Sequence, residues 1–497
     1  MKSIKAIRTL AAALALLLLI PLAACSSGGE PDTTTAPSVT TPAPAETTAP
    51  ETVDDTPKLA FEAQDYHGAA FHILTCVEAD YEYRADEQTG ERVNDAIYDR
   101  NAAAEEYLNI DLDVIYESGS WSNRATYNNI ITQSIQAGDN AYDYVTGMIS
   151  CIMPIASAQM FVNLFELPNL DMDSPWWVSS MQDELALNGK LFGIIGDVSL
   201  SMYKGLSVFF FNQKLVGDYQ LEDPYELVRS GAWTVDKMIE MTTASADDLD
   251  GDGKWTVGTD RYGAMLYELV WRSLNAALDV HPIHIDETGM PVVDDLDERA
   301  INVIEKLTTY LHSGDSIWIQ DKDEPARTSF IADLATFYLG KLSEMEKMAD
   351  MESDFGIIPM PKYDENQAAY YTQVATATQI IFVPVTTGDA AMTGHVLETL
   401  SYLTWRDVVA QYYETSLQQR YSRDRATAEM LDIIRAGAVN GFDYTYSTAI
   451  AGDPWVNKIV SQYSWQSIAP ASAYAAQKKV WEANIEKILE SYKDAET

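Results

Sequence analysis

An acidic loop near the middle of the chain carries residue types that bind divalent cations. Asp248, Asp250 and Asp252 stand at alternate positions, and Gly253 follows directly. Alternate carboxylates in such a loop converge on one ion, and a glycine at the sixth position permits the sharp turn between them. The spacing predicts a structural Ca²⁺ site to which the backbone carbonyl of Lys254 contributes a further ligand. A polar turn whose aspartates are capped and solvated is the alternative.

The second half of this loop departs from the EF-hand pattern that its first half follows. The twelfth position, where an EF-hand has a bidentate glutamate, is Thr259, and Asp260 comes one residue later. Asp260 would then close the site with one residue of slack. Because such an ion would be fully ligated by protein, we expect it to stabilise the fold and not to take part in catalysis.

Aromatic and acidic side chains near the ends of candidate strands form the second group of candidate functional residues. The chain has 28 tyrosines and 11 tryptophans. Aromatic rings pack on the C–H faces of sugars, while carboxylates and amides bind the hydroxyls. Packing is the alternative for each ring, and the adjacent Trp176 and Trp177 are assigned to it. The candidate ligand-binding residues are Glu78, Asp80, Tyr81, Trp121, Tyr203, Trp271 and Tyr371.

Other patterns that commonly carry chemistry give no support for an enzyme. The six histidines are scattered, and the sequence contains no HExxH, GxSxG, GxxxxGK[ST] or CxxC motif. With 75 acidic residues, a pair of carboxylates is uninformative. A formal charge of −42 also excludes binding of nucleic acid across a broad face, since phosphates would be repelled.

The first 25 residues have the organisation of an export signal. A short basic start precedes an apolar run over residues 10–20, which is too short to span a bilayer comfortably. The following Leu22-Ala23-Ala24-Cys25 resembles a bacterial lipobox. The resemblance implies cleavage of residues 1–24 and diacylation of Cys25, and an ordinary signal peptide is the alternative. We therefore expect a protein on the outer face of the bacterial cell membrane that contacts the membrane through its lipid anchor alone.

Residues 25–57 are predicted to form a disordered tether. Six prolines and nine threonines lie between Pro31 and Pro57, and this composition cannot bury a core. The globular part then begins near residue 58.

Alternating strand and helix patterns open the globular part. The predicted strands are 71–77, 110–114 and 142–147, and the predicted helices are 94–108 and 126–137. This β-α-β-α-β order implies parallel strands with right-handed crossovers. Ligands of such sheets bind outside the carboxyl ends of the strands, which places a site near residues 77–83 and 147–151.

Several stretches in fixed order resemble a known family. They are Val93–Asn101 with Tyr142-Asp143, Pro175-Trp176-Trp177, Gly196–Ser199, Val208–Asn212, Ala232–Asp236, Phe355–Lys362, Tyr370-Tyr371 and Tyr421–Asp424. The chain resembles the large extracellular solute-binding lipoproteins of carbohydrate ABC importers (family 1 type) of Gram-positive bacteria.

The resemblance implies an α/β fold of the two-lobe periplasmic-binding-protein type (type II), with parallel-sheet lobes joined by hinge strands. It assigns 58–206 plus 381–445 to the N-lobe and 207–380 plus 446–497 to the C-lobe. Two short apolar runs suit the hinge strands. Val208–Asn212 would enter the second lobe, and Thr378–Pro384 would return to the first.

The function implied by the resemblance is capture of a carbohydrate, an oligosaccharide in particular, and its delivery to ABC permease subunits by hinge closure. We expect a monomer with no enzymatic activity. Two alternatives stay open: a surface-anchored enzyme that degrades polysaccharides, and a peptide-binding or sensory protein on the same fold.

Two cysteines near the predicted ligand edge allow two interpretations. Cys76 and Cys151 end neighbouring candidate strands and would lie outside the cell. They either form a disulfide that closes a long loop or remain buried free thiols.

Overall fold

Runs of β-branched and aromatic residues form two five-stranded sheets, each flanked by helices. The computed structural model describes residues 57–267, 273–311, 316–320, 323–348, 350–412, 425–450 and 469–493. The predictions for the leader, Cys25, almost all of the tether, Trp271 and Tyr421–Asp424 lie outside the described residues.

The strands, in chain order, are β1 (Ala69–Cys76), β2 (Ile110–Glu117), β3 (Tyr144–Met148), β4 (Gly193–Ile194), β5 (Ser207–Asn212), β6 (Tyr262–Tyr267), β7 (Ile283–Ile285), β8 (Pro291–Val293), β9 (Ile317–Gln320), β10 (Ala335–Lys341), β11 (Phe355–Ile358), β12 (Thr372–Gln373), β13 (Gln379–Phe382) and β14 (Ala438–Val439).

The helices, in chain order, are α1 (Arg92–Leu108), α2 (Arg124–Ala137), α3 (Ile149–Ile152), α4 (Ser180–Leu185), α5 (Ser201–Gly205), α6 (Gln213–Asp218), α7 (Pro224–Ser230), α8 (Val235–Ala244), α9 (Leu274–Ala277), α10 (Glu298–Leu311), α11 (Asp323–Ile331), α12 (Ala390–Leu403), α13 (Arg425–Ala436), α14 (Phe442–Thr445) and α15 (Pro470–Ser491). A π-helical turn, Thr404–Val408, follows α12.

The first sheet has the strand order β2-β1-β3-β13-β4. β1 is parallel to β2 and to β3, with Ala69 opposite Ile110 and Ile73 opposite Tyr144. The carboxyl ends of these three strands therefore meet at one edge, as predicted. β13 runs antiparallel to β3, with Gln379 opposite Met148, and so enters the sheet at that same edge.

The second sheet has the order β11-β5-β10-β6-β9. β10, β6 and β9 are parallel, while β5 is antiparallel to both β10 and β11. Helix α8 packs so closely on β6 that a Cβ at Gly263 would lie 1.7 Å from the carbonyl oxygen of Thr242. This position therefore accepts glycine alone.

The two-lobed α/β architecture expected from the sequence is confirmed. β5 enters the second sheet and β13 returns to the first, so both predicted hinge strands are strands. β5 is buried throughout, and each of its phenylalanines contributes about 1.5–3 kcal/mol through burial. Both sheets are mixed, however, because each linking strand runs against its neighbours. The sequence pattern of local β-α-β units carries no information about strands that return from far along the chain.

The first long helix begins earlier than predicted. α1 starts at Arg92, where the Glu91 carboxylate accepts hydrogen bonds from the N–H groups of Val93 and Asn94. The cap is therefore Glu91 and not Asn94. The helix ends as expected at Asn109, whose left-handed φ of 47° breaks it.

Two helices that follow β13, α12 and α13, pack against different lobes. α12 packs on α1 beside the first sheet, whereas α13 packs on β11 at the edge of the second sheet. α13 falls in the span assigned to the first lobe from the sequence, so its packing partner lies in the other lobe. No helix among the described residues is both long and apolar enough to cross a membrane.

Candidate functional site

The loops that follow β1 and β2 meet at the carboxyl edge of the first sheet, as predicted. The Glu78 carboxylate accepts hydrogen bonds from the Ser118 hydroxyl at 2.7 Å and from the Gly119 N–H at 3.0 Å. Partial burial alone would raise the pKa of Glu78, but the hydrogen bonds outweigh it, so the pKa is lowered. Trp121 is 51% exposed, and the Arg124 guanidinium lies 4.0 Å from its ring centroid. A charged oxygen ligand and an exposed aromatic ring thus stand on neighbouring loops.

The linker helix α5 connects this edge to the second lobe. Lys204 on α5 lies 4.9 Å from the ring centroid of Tyr81, which is half-buried. Its ammonium also pairs with Glu346 at 3.0 Å, in the turn after β10. Asp80 pairs with Arg84 at 2.7 Å, one helical turn further on. Asp80 and Tyr81 therefore stand where the first sheet, the linker and the second lobe come together.

Tyr203 lies in the same linker helix, but its side chain is fully buried. Its hydroxyl donates to Asp197 at 2.5 Å and accepts from the Arg435 guanidinium at 2.9 Å. Arg435 also pairs with Asp197 at 2.6 Å. Burial raises the pKa of Asp197 to about 6, although Arg435 opposes the shift. In this conformation Tyr203 joins the linker to α13 and has no surface to offer a ligand.

Tyr371 lies apart from these residues. It is half-buried, and burial followed by the charge of Asp279 raises its pKa. Asp279 in turn lies 3.2 Å from the imidazole of His281. The structure thus brings Glu78, Asp80, Tyr81 and Trp121 together at the first sheet and places Tyr371 near Asp279.

Glu82 was missed by the sequence analysis, although it follows Tyr81 directly. Its side chain is fully buried, and one carboxylate oxygen accepts from the Ser201 N–H of α5 at 2.8 Å. The other oxygen makes no hydrogen bond to the described residues. Burial raises the pKa of Glu82 to about 8, against the opposing hydrogen bond from Ser201 and the charge of Arg100. No local pattern marks a carboxyl that becomes buried only when the linker helix covers it.

Trp176 and Trp177 pack in the first lobe, and one glutamate binds both. The indole N–H groups donate to the Glu398 carboxylate at 2.6 and 3.0 Å, and the Asp171 N–H donates to it at 2.6 Å. The two side chains converge because they lie in an irregular segment, where the alternation of a strand does not apply. Burial raises the pKa of Glu398 to about 7.

The two described cysteines are free thiols. Cys76 and Cys151 are both buried and unbridged, so the disulfide interpretation is not supported. The Cys76 sulfur packs on the loop after β2, where a Cβ at Gly119 would lie 2.1 Å from it. Burial raises the pKa of Cys76 to about 12, which leaves this thiol unreactive at neutral pH.

The acidic loop lies between α8 and β6, at the amino end of β6. Carboxylate oxygens of Asp248, Asp250 and Asp260 lie within 4.8 Å of one another. Asp260 is fully buried and binds the N–H groups of Leu249 and Thr256, so it closes the loop from its far end. Asp248 binds the N–H groups of two glycines of the loop, both at 2.8 Å.

Asp252 does not join this group of carboxylates. Its side chain instead accepts from the Lys254 N–H at 2.7 Å. The Asp252 N–H donates a hydrogen bond to the Asp250 carboxylate, which lowers the pKa of Asp250. Partial desolvation and the neighbouring charges of Asp252, Asp260 and Asp248 outweigh this bond, so the pKa of Asp250 is raised. A cation between these carboxylates would relieve their repulsion.

The fold is that of the type II periplasmic binding proteins, with two mixed α/β lobes around parallel-stranded sheet cores. No protein-family model and no curated protein matches the chain. The solved structures to which the chain is similar include the following three. The maltose-bound MalE of Listeria monocytogenes has a TM-score of 0.54 and 11% sequence identity, over 84% of this chain and 98% of that one. The maltotriose-bound MalE domain of Bdellovibrio bacteriovorus has a TM-score of 0.51 and 14% identity, over 84% of this chain and 100% of that one. The glycerophosphocholine-bound UgpB of Mycobacterium tuberculosis has a TM-score of 0.51 and 12% identity, over 84% of this chain and 98% of that one.

These likenesses establish the fold and not the ligand, because the identities are low. The two MalE proteins are binding proteins by name and hold a saccharide, whereas UgpB holds glycerophosphocholine. The chain is therefore similar in structure to carbohydrate-binding proteins of ABC importers, and its own ligand is a matter for proposal.

Proposed function

We propose that this protein is the substrate-binding component of an ABC importer and that it captures a carbohydrate, an oligosaccharide in particular. One observation carries the proposal. In a fold shared with saccharide-bound proteins, the exposed ring of Trp121 and the carboxylate of Glu78 stand together at the carboxyl edge of the first sheet. An aromatic face and an oxygen acceptor are the two groups that a sugar ring requires.

Hinge closure is the proposed means of capture. Lys204 on α5 contacts Tyr81 in the first lobe and Glu346 in the second, so α5 is in contact with both lobes. A ligand that contacts both sides would favour the closed arrangement and expose a different surface to the permease subunits. In this proposal Cys25 carries the lipid anchor on the outer face of the membrane, and the protein acts as a monomer.

Saccharide binding is expected to raise the melting temperature by a few degrees at a ligand concentration about 100 times the Kd. The measurement is a thermal shift against mono- and oligosaccharides, followed by isothermal titration. Trp121→Ala should weaken the affinity for the saccharide about tenfold. Phe165→Ala, which removes an exposed ring of similar accessibility elsewhere, should leave it unchanged.

Recovery of the sugar distinguishes capture from catalysis. Chromatography after prolonged incubation should return the saccharide intact. A shortened or unsaturated product would establish the enzymatic alternative, and a response to peptides without any response to saccharides would replace the proposed ligand class.

We also propose that the acidic loop binds a structural Ca²⁺ through Asp248, Asp250 and Asp260, with the Lys254 carbonyl as a further ligand. The proximity of the three carboxylates supports this. The loop lies at the amino end of β6, away from the carboxyl edge of the second sheet, and this position suits a stabilising role.

Removal of Ca²⁺ by EGTA is expected to lower the melting temperature by a few degrees, since extracellular sites of this kind bind with a Kd of about 10⁻⁴–10⁻³ M. Asp248→Asn should abolish the difference between calcium and chelator. Asp252→Asn should preserve it, because the Asp252 carboxylate lies outside the group. Equal melting temperatures of the wild-type protein in calcium and in EGTA would rule out the site.

A further inference from the structure

A groove of about 320 Å³ runs along the exposed edge of the first sheet, between α1 and β2. It has the size at which small-ligand sites begin. Three tyrosines line it, and their rings come from three different segments. Tyr83 follows the loop after β1, Tyr98 lies on α1 and Tyr116 lies on β2.

The groove has space at Ala102, because this small side chain lies between the larger Tyr98 and Glu105. Ala102 is exposed on α1, one turn beyond Tyr98, and leaves room beside Glu105. Tyr98 is 38% exposed, so its ring is available to a ligand. Tyr83 is buried and held in place, since its backbone carbonyl accepts from the Asn101 amide at 2.8 Å. Tyr83 is thus fixed in the groove, while the ring of Tyr98 stays exposed to a ligand.

The charges of the groove disfavour an anionic ligand. Asp86 and Glu105 line it, and Arg84 is the cation of the described lining. The Arg84 guanidinium is already paired with Asp80 at 2.7 Å and lies 4.3 Å from the Tyr116 ring centroid. An anionic ligand would therefore meet uncompensated carboxylates, while hydroxyl groups would find oxygen acceptors.

An added peptide strand is less well suited to this edge. β2 is the outer strand of the sheet, but the Glu105 carboxylate accepts from the Leu112 N–H at 3.0 Å. This N–H is one that a further strand would have to use, and a charged side chain placed on it protects the edge.

The groove begins where the candidate ligand site ends. Asp80 belongs to that site, Arg84 pairs with Asp80 and lines the groove, and Arg84 also lies over the ring of Tyr116. A chain of sugar units that lies past Glu78 and Asp80 would therefore reach the groove without leaving the surface of the protein.

We propose that this groove is an auxiliary binding site for neutral sugar units, which holds the distal end of an oligosaccharide whose other end occupies the candidate site. The inference rests on the proposed function and sharpens it. The protein then prefers saccharide chains longer than those that the candidate site holds alone, and Tyr98 provides the stacking face for the distal units.

The test is the dependence of affinity on chain length, measured by isothermal titration with malto-, cello- and xylo-oligosaccharides from disaccharide to hexasaccharide. For the series that binds, the wild-type affinity should rise about tenfold between trisaccharide and hexasaccharide. Tyr98→Ala should remove this rise and leave trisaccharide affinity unchanged. Tyr98→Phe should restore it, since the ring is retained.

A second variant tests the groove without removing any contact. Ala102→Tyr fills the space at this position of the groove with a large side chain and should also abolish the gain with length, whereas Phe165→Ala should not. A trisaccharide that binds as tightly as the hexasaccharide, or a gain that survives both groove variants, would overturn the inference and leave the proposed function standing. Absence of binding by every saccharide would overturn the proposed function itself.

Discussion

Glu398→Ala is expected to lower the free energy of unfolding by about 2–6 kcal/mol, the largest effect of any substitution considered for this protein. The carboxylate accepts from the indoles of Trp176 and Trp177 and from the Asp171 N–H, and all three donors would lose their partner. Each of the two buried indole N–H groups left without an acceptor costs about 1–3 kcal/mol, whereas Asp171 is exposed and its N–H can bind water. Urea unfolding, followed by tryptophan fluorescence, measures the difference directly.

Glu398→Gln separates the hydrogen bonds from the volume of the side chain. Its single carbonyl oxygen still accepts, so the loss should be about half that of the alanine variant. Glu106→Ala, at an exposed position of α1, should change the stability by no more than about 0.5 kcal/mol. An alanine variant of Glu398 as stable as that of Glu106 would show that the three hydrogen bonds contribute nothing.

Glu82→Gln is expected to change how stability depends on pH. Burial raises the pKa of Glu82 to about 8 in the folded protein, above an unfolded value near 4.5. Between these two values the folded state keeps a proton that the unfolded state releases. The contribution of Glu82 to stability is therefore complete below pH 4.5 and falls by about 1.4 kcal/mol for each pH unit up to pH 8. Glutamine carries no such proton, so the variant lacks this slope.

Urea unfolding of both proteins from pH 5 to pH 8 tests this prediction. The stability of Glu82→Gln should rise relative to wild type with increasing pH. The contributions of the other buried carboxyl groups to the pH dependence cancel in this difference, because both proteins contain them. Glu78→Gln is the matched control in the same loop. Its pKa is lowered, so its difference from wild type should stay constant over this range. Parallel profiles for Glu82→Gln and wild type would contradict the assignment of a protonated, buried Glu82.

Local patterns in the sequence were sufficient for much of the architecture. The β-α-β-α-β order predicted a parallel sheet, and its carboxyl edge does bring Glu78 beside the loop that holds Trp121. The proximity of Asp248, Asp250 and Asp260 was also expected, although together with Asp252, because the Asp260 carboxylate closes the loop by accepting hydrogen bonds from N–H groups of the loop itself. In each case the interacting residues are close in sequence or lie in adjacent β-α units.

Tertiary structure decided which side chains are available. Tyr203 and Trp121 are both aromatics near the expected site, yet the first is buried under α13 and the second is half exposed. The sequence alone also predicted neither the shared acceptor Glu398 nor the groove beside Tyr98.

The composition and local spacing of this sequence by themselves determined that it forms alternating α/β units, and they predicted a ligand site at a strand edge and an acidic loop suited to Ca²⁺. The antiparallel return of β13, the burial of Glu82 under α5 and the groove between α1 and β2 were decided by packing between distant segments. The physical reason is that periodicity and turn chemistry act between neighbours, whereas burial depends on which remote surface covers a residue.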